Sequence, residues 1–433
     1  MTTTAENRQA ARPGRPLDVP SVAGRVAAAR RTVSRTVHET LDRPLASYYL
    51  LVGASGLLLV IGLVMVLSSS SVWSYRMYDH NSYAVFLKQL TWVVLAVPFV
   101  WVAVRLPHRV LRLVSWPALV VSVVLLAMTQ TSMGVTVNGN RNWLALGPVQ
   151  IQPAELAKLA VIVWCSHIYA TKERLLDDWR HTLIPVVPVM TVVVGLVVVG
   201  HDLGTALVLL GIVLGLLWVV GAPTKMFVGS LLVASAAALA LAASSPERMQ
   251  RLTSFADPFK SFQGAGWQAA HGILGMSSGG LLGKGIGASQ QKWGDLPAAH
   301  TDFIFAVLGE ELGLVGTLLV LGLFLTVAFA GLRVAQRTTD PFARYMAAGI
   351  TVWITSQMMI NVGMVLALLP VIGIPLPLVS YGGSGLLPSL VALGLLVSFA
   401  RHEPGAQAAL QAKRRKGVTR GVTAGGVSRR SRA

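Results

Sequence analysis

The chain predicts an all-α polytopic membrane protein with about ten transmembrane helices. Composition is the first observation: 54% of the 433 residues are hydrophobic and 12% are charged, where soluble domains carry about 25% charged residues. The second is a series of apolar runs, each long enough to cross a bilayer at roughly 17–25 residues. The third is where the positive charge lies. The net charge of +18 collects in two tails and a few short loops, the pattern of positive-inside topology and of contact with anionic membrane lipids. That placement argues against nucleic acid as a partner. The single cysteine, Cys165, sits in an apolar run, so no disulfide within the chain and no thiolate metal site is expected.

Taken in order, residues 1–45 are rich in Arg, Ala, Thr and Pro. They read as a basic, disordered cytoplasmic tail with a basic amphipathic segment near 22–37, and the plainer reading is a tail that only sets topology. No secretory signal precedes the first apolar run. Spans are expected near 46–69, 84–105, 109–130, 153–171, 183–200, 203–220, 224–245, 303–332, 342–369 and 372–400. Only His201-Asp202 interrupts 183–220, and one long span there would make nine. Nine would place the run Lys413-Arg-Arg-Lys416 outside, whereas ten puts it inside with Arg105, Arg109, Arg112, Lys172, Arg174, Arg333 and Arg337, as the Lys/Arg bias of short loops requires. Residues 46–400 thus form a ten-span transmembrane domain, and 401–433 a second basic cytoplasmic tail.

The longest connection, 246–302, is a large extracellular loop between spans 7 and 8. A loop of this length is usually functional or disordered. Its aromatic and apolar residues predict short helices on the membrane surface. Its glycines, Gly279, Gly280, Gly283, Gly285 and Gly287, bring backbone N–H groups close to a phosphate or simply make turns.

Several polar segments fall on the outer face in this topology. Asp302 stands directly before an apolar helix that also contains Glu310 and Glu311. Charge at membrane depth costs at least ~2.5–3.5 kcal/mol per group on insertion scales, though an isolated Asp there is most simply a helix cap. Glu155 and Lys158 are three apart after Pro153, on one helix face, as a structural ion pair or as groups beside a substrate. Lys88 and Gln89 read as snorkelling side chains. Three prolines and several glycines over 369–384 break the helix, which membranes tolerate where backbone lines a cavity. Ser380, Tyr381 and Ser384 are expected to face that cavity. Independent caps would scatter over both faces, so the convergence predicts one outward-facing site.

The segments NGNRNW (138–143), QPAELAKL (152–159), DLGTALVLL (202–210), QQKWGDLPAAHTDFIFAVLGEELG (290–313) and LLPVIGIPLPLVSYGGSG (368–385) together resemble the SEDS family of shape, elongation, division and sporulation proteins. The resemblance covers about 46–400 and is similar in detail to the family's actinobacterial division members, with the elongation members as the alternative. It implies the SEDS fold and a peptidoglycan glycosyltransferase that polymerises lipid II at the outer face of the cytoplasmic membrane, with a class B penicillin-binding protein, other divisome proteins and membrane lipids as partners, at the division septum. It implies Asp302 as the essential acid, Glu155 and Lys158 as polar residues beside the cavity, and Arg141 and Trp143 as an outer-loop motif. The chain departs from the family pattern at Ala298, Asn142 and His201, so no role is carried over to those positions.

The chemistry suits the residues. Joining two sugars removes a proton from a hydroxyl while a diphosphate leaves an anomeric carbon. A partly buried carboxylate serves as the base, and the leaving diphosphate needs cations or N–H donors. Lys158, Arg248, Arg251 and Lys284 are candidates for that contact, with Gln268, His300, Ser380 and Ser384 completing the expected substrate site. No metal-ligand cluster is visible, and a magnesium or manganese ion could assist the diphosphate. A lipid-linked substrate flippase is the reading from a different class, because broken helices and polar groups in spans also mark transporters. A scaffold that only recruits partners is the third.

Overall fold

The computed structural model describes residues 43–408, except 138, 148, 244, 245 and 295 and the side chains of 146, 241, 242 and 246–248. The expected basic tails lie almost wholly outside the described residues. Three long apolar helices come first, α1 (Ala46–Met77), α2 (Ala84–Arg105) and α3 (His108–Met128). A three-stranded antiparallel sheet follows, β1 (Gly134–Val137), β2 (Asn140–Leu146) and β3 (Val149–Ile151), in that order. Then come α4 (Pro153–Thr171), α5 (Trp179–Leu183), α6 (Val186–Val199), α7 (Leu203–Val219), α8 (Thr224–Ala243), α9 (Pro246–Ser254) and α10 (Trp267–Ser278). The last three are α11 (Ile304–Arg337), α12 (Pro341–Val365) and α13 (Leu386–Arg401).

Every expected span contains a helix. Among the described residues, seven stretches are long and apolar enough to cross a membrane: α1, α2, α3, the α5–α6 stretch Trp179–Val199, α11, α12 and Gly383–Arg401. Leu203–Val219 and Thr224–Ala240 are shorter apolar helices, and α4 has 19 residues, most of them buried. Length and composition alone therefore support seven of the ten expected crossings. The 183–220 run is two apolar helices, because His201 adopts a left-handed φ of 66° and Asp202 caps the start of α7. Proline at the first position of α4 and of α12 suits a helix start, where its missing N–H is not needed.

The core centres on α12, which packs against α4, α7, α11 and α13. Small residues permit these crossings, as they do in membrane helix pairs. A Cβ on Gly349 would meet Ile162 at 2.8 Å, and one on Gly331 would meet the Thr351 hydroxyl at 2.1 Å. Outward faces keep large apolar side chains exposed, among them Val94, Leu113 and Val233.

The 131–152 connection, an outer loop under the ten-span topology, carries the three-stranded sheet, and Gly139 takes φ 81° between β1 and β2. One expectation is corrected here. Helix α10 does not lie alone on a surface. Ala269 and Ala270 are buried, and a Cβ on Gly272 would press on the Phe303 ring at 3.0 Å.

The glycine-rich segment does something the sequence did not predict. Helix α11 breaks at Gly313 (φ 68°, ψ −164°). The carbonyls of Glu310 and Glu311 accept from the backbone N–H groups of Lys284 and Gly285, and those of Gly280 and Leu281 accept from Leu314 and Val315. A piece of the loop is thus spliced into the helix ladder, so the buried backbone groups at the break remain satisfied.

Candidate active site

One cavity of about 1670 Å³ receives residues from the ends of α1 and α2, the sheet, α4, α7, α9, the segment before α11 and the broken segment before α13. Asp302 lines it from that first segment, two residues before α11 and outside the membrane-spanning helices. Its backbone is held by Asn361, whose Nδ2 donates to the carbonyls of Asp302 (2.8 Å) and Ile374 (2.7 Å). Thr301 is fixed by the Ser380 hydroxyl at 2.6 Å, and the His300 carbonyl accepts from Tyr381 N at 2.9 Å. The side chain of Asp302 has no hydrogen-bond partner among the described residues, so it does not cap α11, whose start has no side-chain cap. Burial, and after it the nearby Asp202 carboxylate, pushes Asp302 up to about 7. Burial pushes His300 down to about 4, which leaves its imidazole neutral against Trp73, with ring centres 5.0 Å apart.

Asp202 differs from Asp302 in being fully engaged. It accepts from Thr205 N and the Thr205 hydroxyl, both at 2.9 Å, from Asn142 at 2.7 Å and from Gln152 at 3.0 Å. Glu155 and Lys158 form a buried pair at 2.7 Å. Lys158 also donates to Gln357 Oε1 (3.1 Å), which accepts from Trp353 (2.8 Å) as well, while Gln357 Nε2 donates to the Pro375 carbonyl (3.1 Å).

Of the residues expected in the site, Asp302, Glu155, Lys158, Trp143, Arg251, Gln268 and His300 line the cavity. Others are turned to structural work. The guanidinium of Arg141 donates to the Thr131 carbonyl. Lys284 pairs with buried Glu310 at 2.8 Å. The Ser380 hydroxyl donates to Thr301 O and accepts from Leu376 N, and the Ser384 hydroxyl accepts from Gln152 N. The glycines of 279–287 serve the splice rather than the cavity wall. The side chain of Arg248 lies outside the described residues. Gln89 does not snorkel: it is 1% exposed and donates to the Ser380 carbonyl at 3.2 Å. Asp202 enters the sequence reading only within the 202–210 motif, without a role of its own, and sequence reasoning missed Gln357, Asn361 and Lys292. The signal for two of these was available, since Gln357 and Asn361 are polar groups four apart on one face of an apolar helix.

Among the described residues, no cluster of three or more His, Cys, Asp or Glu could hold a metal ion. The molecule is a helical membrane protein with a large cavity whose wall carries Asp302, without a side-chain hydrogen-bond partner among the described residues, and the buried Glu155–Lys158 ion pair. The chain belongs to the FtsW, RodA and SpoVE family, described as cell cycle proteins, whose model matches residues 48–404. It is 39% identical over 381 residues to a probable peptidoglycan glycosyltransferase FtsW of Mycobacterium tuberculosis, covering 88% of this chain and 72% of that one. It is 35% identical to the stage V sporulation protein E of Bacillus subtilis, covering 82% and 96%. Among solved structures it resembles a chain of a peptidoglycan synthase complex that coordinates polymerization and crosslinking, with TM-score 0.67, 27% identity and coverage of 82% and 97%. It also resembles the rod shape determining protein RodA of Thermus thermophilus, with TM-score 0.60, 27% identity and coverage of 82% and 97%.

Proposed function

We propose that this chain is a peptidoglycan glycosyltransferase that polymerises lipid II at the outer face of the bacterial cytoplasmic membrane during septal wall synthesis. The observation that carries the reading is Asp302: a carboxylate with no hydrogen-bond partner among the described residues, at a cavity wall, held by its backbone and pushed up to about 7. A base poised near the working pH combines the correct ionisation with proton affinity. Asp302 takes the proton of the acceptor's 4-hydroxyl. The oxygen forms a bond to the donor's anomeric carbon from the face opposite the diphosphate, and the carbon–oxygen bond to the diphosphate breaks. The expected product has inverted configuration and a free polyprenyl diphosphate.

The charge on that leaving group falls to cations without carboxylate partners. Lys158 is neutralised by Glu155 and acts mainly by positioning. Arg251 is exposed on the cavity wall and has no carboxylate partner among the described residues, so it is the better contact. Any magnesium or manganese ion would arrive on the substrate diphosphate, and a chelator titration of the polymerisation rate tests that. Both termini are cytoplasmic in this reading, and the partner is a single-span class B penicillin-binding protein within the divisome. An elongation role is the second reading, favoured by the likeness to RodA, and the identity of the co-purifying transpeptidase separates the two.

The test is lipid II polymerisation by the purified protein with its partner, wild type against Asp302→Asn, with glycan chains read on a gel. Loss of a general base costs roughly 10²–10⁴ in rate, so no chains are expected from the variant, which still binds its partner. Chains from the variant at the wild-type rate would remove Asp302 as the base. Movement of lipid II across a bilayer by a wild type that makes no chains would favour a flippase.

A further inference from the structure

Segment 300–302 carries the base, yet it stands outside the helix that follows. The N-cap of α11 is Phe303, and a helix ladder begins with its cap residue, so the carbonyls of His300, Thr301 and Asp302 precede it. Each is gripped from elsewhere instead. The His300 carbonyl accepts from Tyr381 N at 2.9 Å, the Thr301 carbonyl from the Ser380 hydroxyl at 2.6 Å, and the Asp302 carbonyl from Asn361 Nδ2 at 2.8 Å. Two of these donors belong to the broken segment before α13. The third ties that segment in as well, since the same Nδ2 donates to the Ile374 carbonyl at 2.7 Å. Next to Ile374, Gly373 takes φ 78°, and a Cβ there would stand 3.5 Å from Asp302 Oδ2, so the tied segment passes the carboxylate itself.

Asn361 is fully buried in α12, behind the cavity wall rather than on it. Its Oδ1 has no hydrogen-bond partner among the described residues. A buried polar atom left unpaired is costly, so packing alone would favour leucine, which has nearly the same shape. What leucine lacks is an NH2 group able to donate to two carbonyls at once. One turn back, Gln357 also bridges two parts of the site: it accepts from Lys158 Nζ at 3.1 Å and donates to the Pro375 carbonyl at 3.1 Å. Four residues of α-helix rise about 6 Å, so one rigid stretch of α12 connects the Glu155–Lys158 pair to the Asp302 segment.

We propose that Asn361 is a positioning residue for the glycosyl transfer: with Gln357 it forms a ruler on α12 that sets the reach of the Asp302 carboxylate relative to the Lys158 ammonium, and with Ser380 it keeps segment 300–302 in place as the sugars react. This rests on the polymerase reading above. Asn361 lies off the cavity surface, so it acts through Asp302 and not on the substrate. Its loss therefore lowers turnover and leaves substrate affinity in place. Misplacing a reacting group by about 1 Å costs roughly 10²-fold in rate, and a segment without a helix ladder of its own shifts that far once a grip is lost.

Initial rates of polymerisation against lipid II concentration, for the purified protein with its partner, test this. Asn361→Leu is expected to lower kcat roughly 10²-fold with the half-saturating concentration within about twofold of wild type, the split left by an interaction that counts only in the transition state. Asn361→Ser, which keeps one O–H donor, should fall in between. Amide hydrogen exchange read by mass spectrometry is the second arm. The Tyr381 N–H, bonded to the His300 carbonyl, is expected to exchange faster in Asn361→Leu, while peptides of α13 keep the wild-type rate. Gln357→Leu combined with Asn361→Leu should cost less than the product of the single losses, because parts that act as a unit are not additive; a full product would overturn the ruler. Wild-type kcat in a folded Asn361→Leu, or unchanged exchange at Tyr381, overturns the positioning role. If Asn361→Leu does not fold, Ser380→Ala removes the donor to Thr301 and must show the same loss of kcat; a raised half-saturating concentration in its place would make Ser380 a substrate contact and overturn the hold. A wild type that makes no chains rejects the polymerase reading and the catalytic half of this one with it, while faster Tyr381 exchange in the variant would still keep the hold on segment 300–302.

Discussion

Asp302 and Asp202 are both aspartates at helix starts, yet their surroundings give them different work. Asp202 is surrounded by four donors, while the Asp302 side chain has none among the described residues. A base must be ionised, so the polymerisation rate is expected to rise with pH through about 7 and level off above it; a profile flat from pH 5 to 9 would show that Asp302 does not titrate in the rate-determining step. Stability runs the other way. The folded carboxyl holds its proton more tightly than an unfolded aspartate, so the fold loses stability as pH rises from about 4 to about 7. Asp302→Asn carries no such loss and is expected to melt no lower than wild type at pH 8. The Glu155–Lys158 pair is structural in a different sense. Lys158→Met leaves a buried carboxylate alone, which costs about 3–5 kcal/mol and lowers the unfolding temperature in detergent. Glu155→Gln with Lys158→Met should recover much of that loss; equal melting of single and double variants would mean the two charges do not stabilise each other.

At the level of elements, the junction of α11 with segment 278–292 sets where the Asp302 segment begins. Glu310 gathers Lys284, Ser278, Ser289 and the N–H groups of Gln290 and Gln291. Glu311 gathers Lys292 at 3.0 Å and Ser68 of α1 at 2.6 Å. Both carboxylates are fully buried; the bonds satisfy them, and the contacts tie three parts of the chain to one helical turn. The splice demands close backbone approach. A Cβ on Gly283, at φ 78°, would sit 2.1 Å from the Glu311 carbonyl. Gly283→Ala is therefore expected to cost at least ~1–3 kcal/mol and to open 279–290 to protease. Unchanged cleavage would show that the loop is not inserted in the helix.

For the whole molecule, the decisive question is which side of the membrane each connection occupies. Cys165 is the only cysteine and is fully buried, so introduced cysteines can be labelled against a silent background. Gly264 and Thr339 are both exposed, and a Cβ at Gly264 has no neighbour nearer than 3.8 Å. With ten crossings and the N-terminal tail inside, Gly264→Cys reacts with an impermeant maleimide in intact cells, and Thr339→Cys reacts only after permeabilisation. Labelling of both from outside would break the topology and, with it, the placement of the cavity on the outer face.

The order of the elements was legible in the chain because hydrophobic runs and helix-breaking residues are local properties. Each expected span holds a helix, and the break before α13 follows from Pro370, Pro375 and Pro377. The importance of Asp302 was legible for the same reason, as a charge placed where an apolar helix begins. What local reading could not reach was the direction of each polar side chain. Lys284 and Lys292 stand close in sequence to the Asp302 segment, and Lys292 reaches the cavity wall, but their ammonium groups turn to Glu310 and Glu311, 26 and 19 residues further along. Ser380 and Ser384 turn to backbone because buried donors and acceptors must be paired. Arg76 and Lys88 line the cavity, a placement that the local sequence of α1 and α2 does not reveal. Sequence determined where the apolar helices fall and which residues are chemically able to act. The tertiary structure decided which of those residues are free to act, since a charge already matched to a buried partner has little left for a substrate.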